Sequence, residues 1–222
     1  MCLAVPSQVV DVASDGTLLV DAFGMRRTVS AALMEAPPAA GDYVLVRAGG
    51  YAIECVEPDR ARETLALLAA DGLEAAFRRI ERERMEGVAL LNRALRVEAI
   101  GFAPWGRHWL GVLVSPWFVN LVLVRGSADD WPAGNPDEAV FHEFPCGRLA
   151  FLAASEPEVG EFQSCALTTA MHEFPGQDTA RDFARAALEA LQRPPAPLAE
   201  PARPREAMTK RQFLHTLLLR PT

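Results

Sequence analysis

The chain has only four cysteines in 222 residues, at 2, 55, 146 and 165, and no CxxC pair. That density and spacing exclude a disulfide framework and leave all four as reduced thiols. No apolar run approaches the roughly 18 residues that a membrane-spanning helix needs. The N-terminus has neither the basic region nor the apolar core of an export signal, so it reads as a mature cytoplasmic chain with no membrane partner. The net charge of −7 is spread with both signs interspersed, which argues against nucleic acid or anionic lipid as a partner. G-x-S-x-G, the P-loop and G-x-G-x-x-G are all absent, and the candidate acid–base residues are scattered without a selecting spacing. Nothing marks an enzyme.

What is present is a change of hydrophobic period along the chain. Five short β-type runs, Ser7 to Val12, Thr17 to Ala22, Arg26 to Val29, Tyr43 to Arg47 and Tyr51 to Val56, are separated by turn signals at Ser14-Asp15-Gly16, Pro37-Pro38, Gly41-Asp42 and Gly49-Gly50. Five strands in about fifty residues predict a small closed barrel of OB-like type, because closure removes unpaired edges. Cys55, placed on one strand face with Ile53, is expected as an inert core thiol. Pro58 and Asp59 open a helix, and Gly72 is expected to stop it. A second helix, Leu73 to Ala94, is dense in Arg and Glu at spacings of three and four, which predicts a solvated connector crossed by few contacts.

Beyond Arg96 the strand period returns in RVEAIGFAP, WLGVLVS, WFVNLVLVR, FHEFP, GRLAFLAAS and FQSCALTTAM. Asp178 to Gln192 is a helix with Asp178 as candidate N-cap and an apolar face of Ala180, Phe183, Ala184, Ala187, Leu188 and Leu191. Five prolines within 194–207 form a semi-rigid tether, followed by a basic-apolar tail over 208–222. The fold class is therefore α+β: a β-barrel with its helix over 1–75, a helical connector over 76–94, a second α+β domain over 95–193, a tether and a tail.

Two stretches resemble known families. MCLAVP at the start, DAFGMRRTVS, GDYVLV and YAIECVEPDRARETLALL are similar to the HypC/HupF family of [NiFe]-hydrogenase maturation chaperones, over roughly residues 1–75. GVLVSPWFVNLVLV, FPCGRLAFLAASEPEVGEFQSCAL and MHEF resemble the HybE/HupJ family of hydrogenase assembly chaperones, over about 90–192. Two resemblances to one assembly process imply a chaperone, not an enzyme. The client they imply is the immature hydrogenase large subunit, with a HypD-like maturation protein as a further partner.

Cys2 is the focus of the first resemblance. A terminus is the poorest place to bury a side chain, so a thiol there points to chemistry instead of packing. Removal of Met1 would leave an α-amine beside the thiol and lower its pKa, and a soft thiolate suits low-valent iron. The resemblance implies that Cys2, followed by Pro6, is either a ligand for a transient Fe(CN)2CO cargo or a thiol contact to the precursor. No tightly bound cofactor is expected. Where the family often carries histidine after the VLV strand, this chain reads VLVRAGGYA, with Arg47 in that place. Arginine stays protonated and cannot be a neutral ligand, so the departure weighs against iron carriage more than against precursor binding.

Three further groups stand out. His142, Cys146, Cys165 and His172 are a suitable zinc set by ligand type, and a metal-binding redox or hydrolytic protein built on them is the alternative reading. Their spacings, H-x3-C and C-x6-H, lack the tight knuckle of structural zinc sites. Trp117, Phe118 and Asn120 are candidates for partner binding, because aromatics beside a proline turn make good anchors, and Cys165 joins them as a packing or precursor contact. The tail TKRQFLHTLLL is similar to the twin-arginine export signal, with Lys210-Arg211 for the arginine pair and Phe213-Leu214 in place. It reads either as a docking helix or as a mimic that occupies a groove meant for a partner's twin-arginine signal peptide.

Overall fold

The computed structural model describes residues 4–89, 91–132, 134 and 138–194. Cys2 and the tail residues Lys210, Arg211, Phe213 and Leu214 lie outside them. The first five strands are β1 (Val5–Val12), β2 (Thr17–Ala22), β3 (Met25–Ser30), β4 (Tyr43–Arg47) and β5 (Tyr51–Val56). They close in the order β1-β2-β3-β5-β4, with β4 returning antiparallel onto β1 through Val5 opposite Val46 and Gln8 opposite Tyr43. Alternate residues point inward, so that Val9, Leu18, Val20, Val29, Val44, Val46 and Ala52 fill the barrel.

Cys55 is not the expected core thiol; it is exposed. On β4, Val44 and Val46 are two apart, whereas their partners on β5, Cys55 and Ala52, are three apart. The extra residue is a bulge, and a bulge reverses the side on which the residues beyond it emerge.

The two helices expected between Pro58 and Ala94 are a single one, α1 (Pro58–Arg84), which runs straight through Gly72. Gly72 is there for proximity and not for termination. A Cβ at this position would stand 2.7 Å from the carbonyl oxygen of Glu158, in the turn of a distant hairpin. The segment expected as a solvated connector is charged on one side only. Its other side continues a buried stripe of Ala61, Leu65, Ala66, Ala69, Leu73 and Ala76, and Arg79 reaches Glu156 and Glu158 at 2.6 Å each. A cut at residue 75 would part Leu73 from Ala76 within one apolar stripe.

The remaining strands, β6 (Glu98–Trp105), β7 (His108–Val114), β8 (Val119–Val124), β9 (Ala139–Phe144), β10 (Gly147–Glu156) and β11 (Gly160–Thr168), form one antiparallel sheet in the order β6-β7-β8-β11-β10-β9. Helices cover both faces, which is why β7 and β8 read as continuous apolar runs. Leu110, Val112, Val119, Leu121 and Leu123 face the helix α2 (Gln177–Leu191) and its Ala180, Ala184 and Leu191. Trp109, Leu113, Val122 and Val124 face α1 and share a core with Val5, Phe23 and Tyr43 of the barrel. Two local expectations for α2 change. Gly176, not Asp178, holds the N-cap position, and Asp178 sits in the first turn paired to Arg181 at 2.6 Å. Phe183 is 38% exposed and meets Phe174 edge to face, at 5.5 Å.

Replacing a mid-helix glycine by alanine ordinarily stabilises by about 1 kcal/mol. Gly72→Ala should do the opposite and destabilise by about 1–3 kcal/mol, because the methyl would force apart a packed backbone. Urea denaturation of the full chain reads the sign directly. A stabilised variant would show that α1 does not approach the Glu158 turn.

Candidate functional site

The structure groups the candidate residues differently from the sequence reading. Pro6 is buried in β1 opposite Leu45, and Arg47 is exposed at the end of β4 opposite Tyr51. The pair Val5–Val46 joins them at one rim, the rim at which the chain enters the barrel. Trp117 and Phe118 lie 5.5 Å apart, near-perpendicular, and both pack on Phe77 of α1 at 6.4 and 5.5 Å. Ser115 fixes their turn, its hydroxyl accepting from the N–H of Trp117 and Phe118 at 3.3 and 3.0 Å. Both aromatics are half-buried, and the Oδ1 of Asn120 nearby is buried without a partner. Cys165 packs instead on the α2 face of the sheet, where burial pushes its thiol pKa up.

The four candidate zinc ligands do not converge. His142 Nε2 meets Gln163 Oε1 at 2.6 Å, and its ring stands edge-on to Phe151. The N–H of Cys146 donates to the Leu191 carbonyl at 3.2 Å, and its side chain packs on the α2 core. His172 sits exposed in a 3-10 turn at Met171–Glu173. Among the described residues no group of three or more His, Cys, Asp or Glu side chains could hold a metal ion. His142, Cys146 and Cys165 each have a local packing or hydrogen-bonding role, and the four sit on different elements: His142 in β9, Cys146 in the β9–β10 turn, Cys165 in β11 and His172 in the 3-10 turn.

Sequence reasoning missed the junction of the barrel with the sheet, because its parts come from four distant segments. The β2–β3 hairpin turns through Phe23 and Gly24, at φ +56° and +72°, the positive pair that a two-residue hairpin loop requires. Left-handed backbone costs a phenylalanine about 1–2 kcal/mol. Partial burial of the ring, which packs tilted against Trp109 with centroids 5.0 Å apart, offsets it, since aromatic burial contributes about 1.5–3 kcal/mol when complete. Trp109 is fixed in turn, its indole N–H donating to the Arg62 carbonyl at 3.1 Å. Arg26 pairs with Asp129 and with Asp21, the latter at 3.6 Å.

Behind this contact lies a cavity of about 370 Å³, lined by Asp21 and Tyr43 of the barrel, Arg62 of α1, and Arg107, His108 and Ser127 of the sheet and its loop. Burial raises the Tyr43 phenol pKa, against the pull of Arg62 and Arg107, so it remains a neutral donor. Burial lowers the His108 pKa, with Asp130 opposing and His142 and Arg107 adding to the effect. Its Nδ1 accepts the Gly126 N–H at 3.2 Å.

The [NiFe]-hydrogenase assembly chaperone HybE family model matches residues 69–216, two thirds of the chain, and the HupF/HypC family model matches residues 1–68. The chain belongs to the HybE family of [NiFe]-hydrogenase assembly chaperones, with a HupF/HypC unit fused in front. The hydrogenase expression/formation protein HupJ of Bradyrhizobium diazoefficiens is 33% identical over 157 residues, 69% of this chain and 90% of that protein. The hydrogenase maturation factor HypC of Cupriavidus necator is 46% identical over 69 residues, 31% of this chain and 74% of that one. The probable rubredoxin HupJ of Rhodobacter capsulatus is 37% identical over 133 residues, 60% of this chain but only 46% of that protein.

The HupF/HypC and HybE matches meet between Leu68 and Ala69, inside α1. The junction cavity is therefore made jointly by the HypC-like and HybE-like units. No helix among the described residues is long and apolar enough to cross a membrane.

His108 makes the junction sensitive to acid. Its folded pKa is depressed, so the unfolded chain takes up a proton first as pH falls through about 6.5. The stability that neutral His108 contributes is present above that pH and is lost below it, as protonated Nδ1 can no longer accept from Gly126. Urea titrations at about pH 7.5 and about pH 5.5 should show a loss on acidification that is smaller in His108→Gln. An unchanged pH slope in the variant would place the titration elsewhere.

Proposed function

We propose that the chain works in the cytoplasm as a binding protein, not a catalyst, holding an immature [NiFe]-hydrogenase large subunit during assembly. The observation that carries this reading is that two family matches to one assembly process meet inside a single helix whose stripe enters a shared core. The unit most directly in contact with the client is the HypC-like one, through Cys2. Of the two roles open to that thiol, contact with the precursor is favoured over carriage of Fe(CN)2CO. Arg47, at the rim where the chain enters the barrel, carries a permanent positive charge and has no lone pair to offer iron. A HypD-like maturation protein is a second candidate for the same rim. Trp117 and Phe118, already packed on Phe77, leave only part of their surface for a partner.

Co-purification with the tagged full-length chain, followed by identification of the bound subunit, tests the client. Cys2→Ala should reduce the captured precursor by about tenfold or more, the size of one hot-spot contact, with an unchanged melting curve. Cys55→Ala, which removes an exposed thiol from β5, should capture as the parent chain does. Equal capture by the Cys2 variant would refute the assignment.

The twin-arginine-like tail fits a chaperone that withholds an unfinished hydrogenase from export. Tethered at an effective concentration on the order of millimolar, it would occupy a groove until a partner's signal peptide displaced it. Deletion of residues 205–222 should raise affinity for a twin-arginine signal peptide, and adding the free tail peptide should lower it again. Unchanged affinity in both measurements would leave the tail as a docking helix.

A further inference from the structure

The cavity between the barrel and the sheet carries more hydrogen-bonding capacity than its own residues use. Asp21 is 6% exposed, and its two carboxylate oxygens are served unequally. Oδ2 accepts the Ala128 N–H at 3.3 Å and faces Arg26 at 3.6 Å, whereas Oδ1 is buried and has no partner. A buried carboxylate oxygen without a donor is costly, and such groups in a folded protein call for an explanation. Across the cavity, Arg62 donates one N–H to the Gly106 carbonyl at 2.8 Å and, among the described residues, pairs with no carboxylate. Arg107 is only loosely held, at 3.6 Å from Asp129 and 3.7 Å from Asp130. The Tyr43 hydroxyl, kept protonated by burial, adds a donor from the barrel side of the lining. Among the described residues the cavity thus holds no carboxylate for Arg62 and no hydrogen-bond donor for Asp21 Oδ1.

We infer that this cavity is a binding site for an acidic peptide segment, whose side-chain carboxylate is held by Arg62 and Tyr43 while a backbone N–H serves Asp21. The planar guanidinium matches a carboxylate in bidentate geometry. A phosphate dianion is disfavoured because Asp21 would repel it at close range. A peptide offers a carboxylate and a backbone N–H on one molecule, matching the unpaired Arg62 and the unserved Asp21 Oδ1, and Trp109 and Leu65 present apolar surface beside them. About 370 Å³ accommodates one side chain with its peptide units. The inference rests on the client-binding reading above and specifies the chemistry by which a client segment would be read. It also gives the fusion a purpose, since neither the HypC-like nor the HybE-like unit forms the site alone.

Isothermal titration of the full-length chain with acetyl-Gly-Glu-Gly-amide, acetyl-Gly-Gln-Gly-amide and free glutamate tests it. The glutamyl peptide should bind, and the glutaminyl peptide should bind about tenfold or more weakly, the loss expected for a charge-assisted hydrogen bond. Arg62→Gln, a partly exposed substitution that leaves the core intact, should weaken the glutamyl peptide by a similar factor, and Asp21→Asn should weaken it further if that variant folds. Equal binding of the two peptides, or unchanged binding in Arg62→Gln, would overturn the site. Free glutamate binding as tightly as the peptide would overturn the assignment to a peptide. These probes contain no hydrogenase sequence, so their failure leaves the capture of the precursor through Cys2 to be judged on its own experiment.

Discussion

The fold depends on one apolar stripe, the inward face of α1, which is asked to satisfy two partners in succession. Its first turns carry Ala61 and Leu65 beside the barrel, and its later turns carry Leu73 and Ala76 beneath the sheet. Four alanines and two leucines make up the stripe, so the helix can lie close to a pleated surface while still removing large side chains from water. Because the stripe has no gap, the barrel and the sheet have no hinge between them at the level of the core. The helix also fixes the Phe23–Trp109 contact, because the Arg62 carbonyl accepts the indole N–H of Trp109.

Much of the architecture was legible in the residues, and the failures have a common cause. The five barrel strands were legible from period-two alternation and turn residues, and the central sheet strands β7 and β8 from continuous apolar runs, all of them local signals. Cys55 was misplaced because a bulge between Ala52 and Cys55 shifts the register, and nothing within six residues announces it. Gly72 was read as a helix stop because glycine at a helix end and glycine at a close approach look alike in one dimension. Only Glu158, eighty-six residues away, distinguishes them. The arginine and glutamate density of 73–84 concealed Phe77, whose partners Trp117, Phe118 and Phe162 come from elsewhere in the chain.

The site was less legible than the fold for the same reason. Family motifs made Cys2, Pro6 and Arg47 stand out, and ligand type made His142, Cys146, Cys165 and His172 stand out, but the structure keeps the latter four apart. The residues that surround the junction cavity are ordinary in sequence. Asp21 sits near a strand end and Arg62 on a helix face, while Arg107 lies in the β6–β7 turn and His108 opens β7. One signal was available: Phe23 precedes Gly24 in a two-residue loop where two small or polar residues are usual. A large aromatic at such a position marks a turn that is held against something.

That the two family matches meet within an unbroken helix constrains how such a chain can change. In a flexible linker, insertions and deletions are nearly neutral. In α1, adding or removing one residue rotates everything beyond it by about 100°. A single-codon insertion between Ala69 and Leu73 would swing Leu73 and Ala76 out of phase and carry the whole sheet around the barrel. Length in this region is therefore quantised by the helical turn, and the two units behave as gears cut on one shaft.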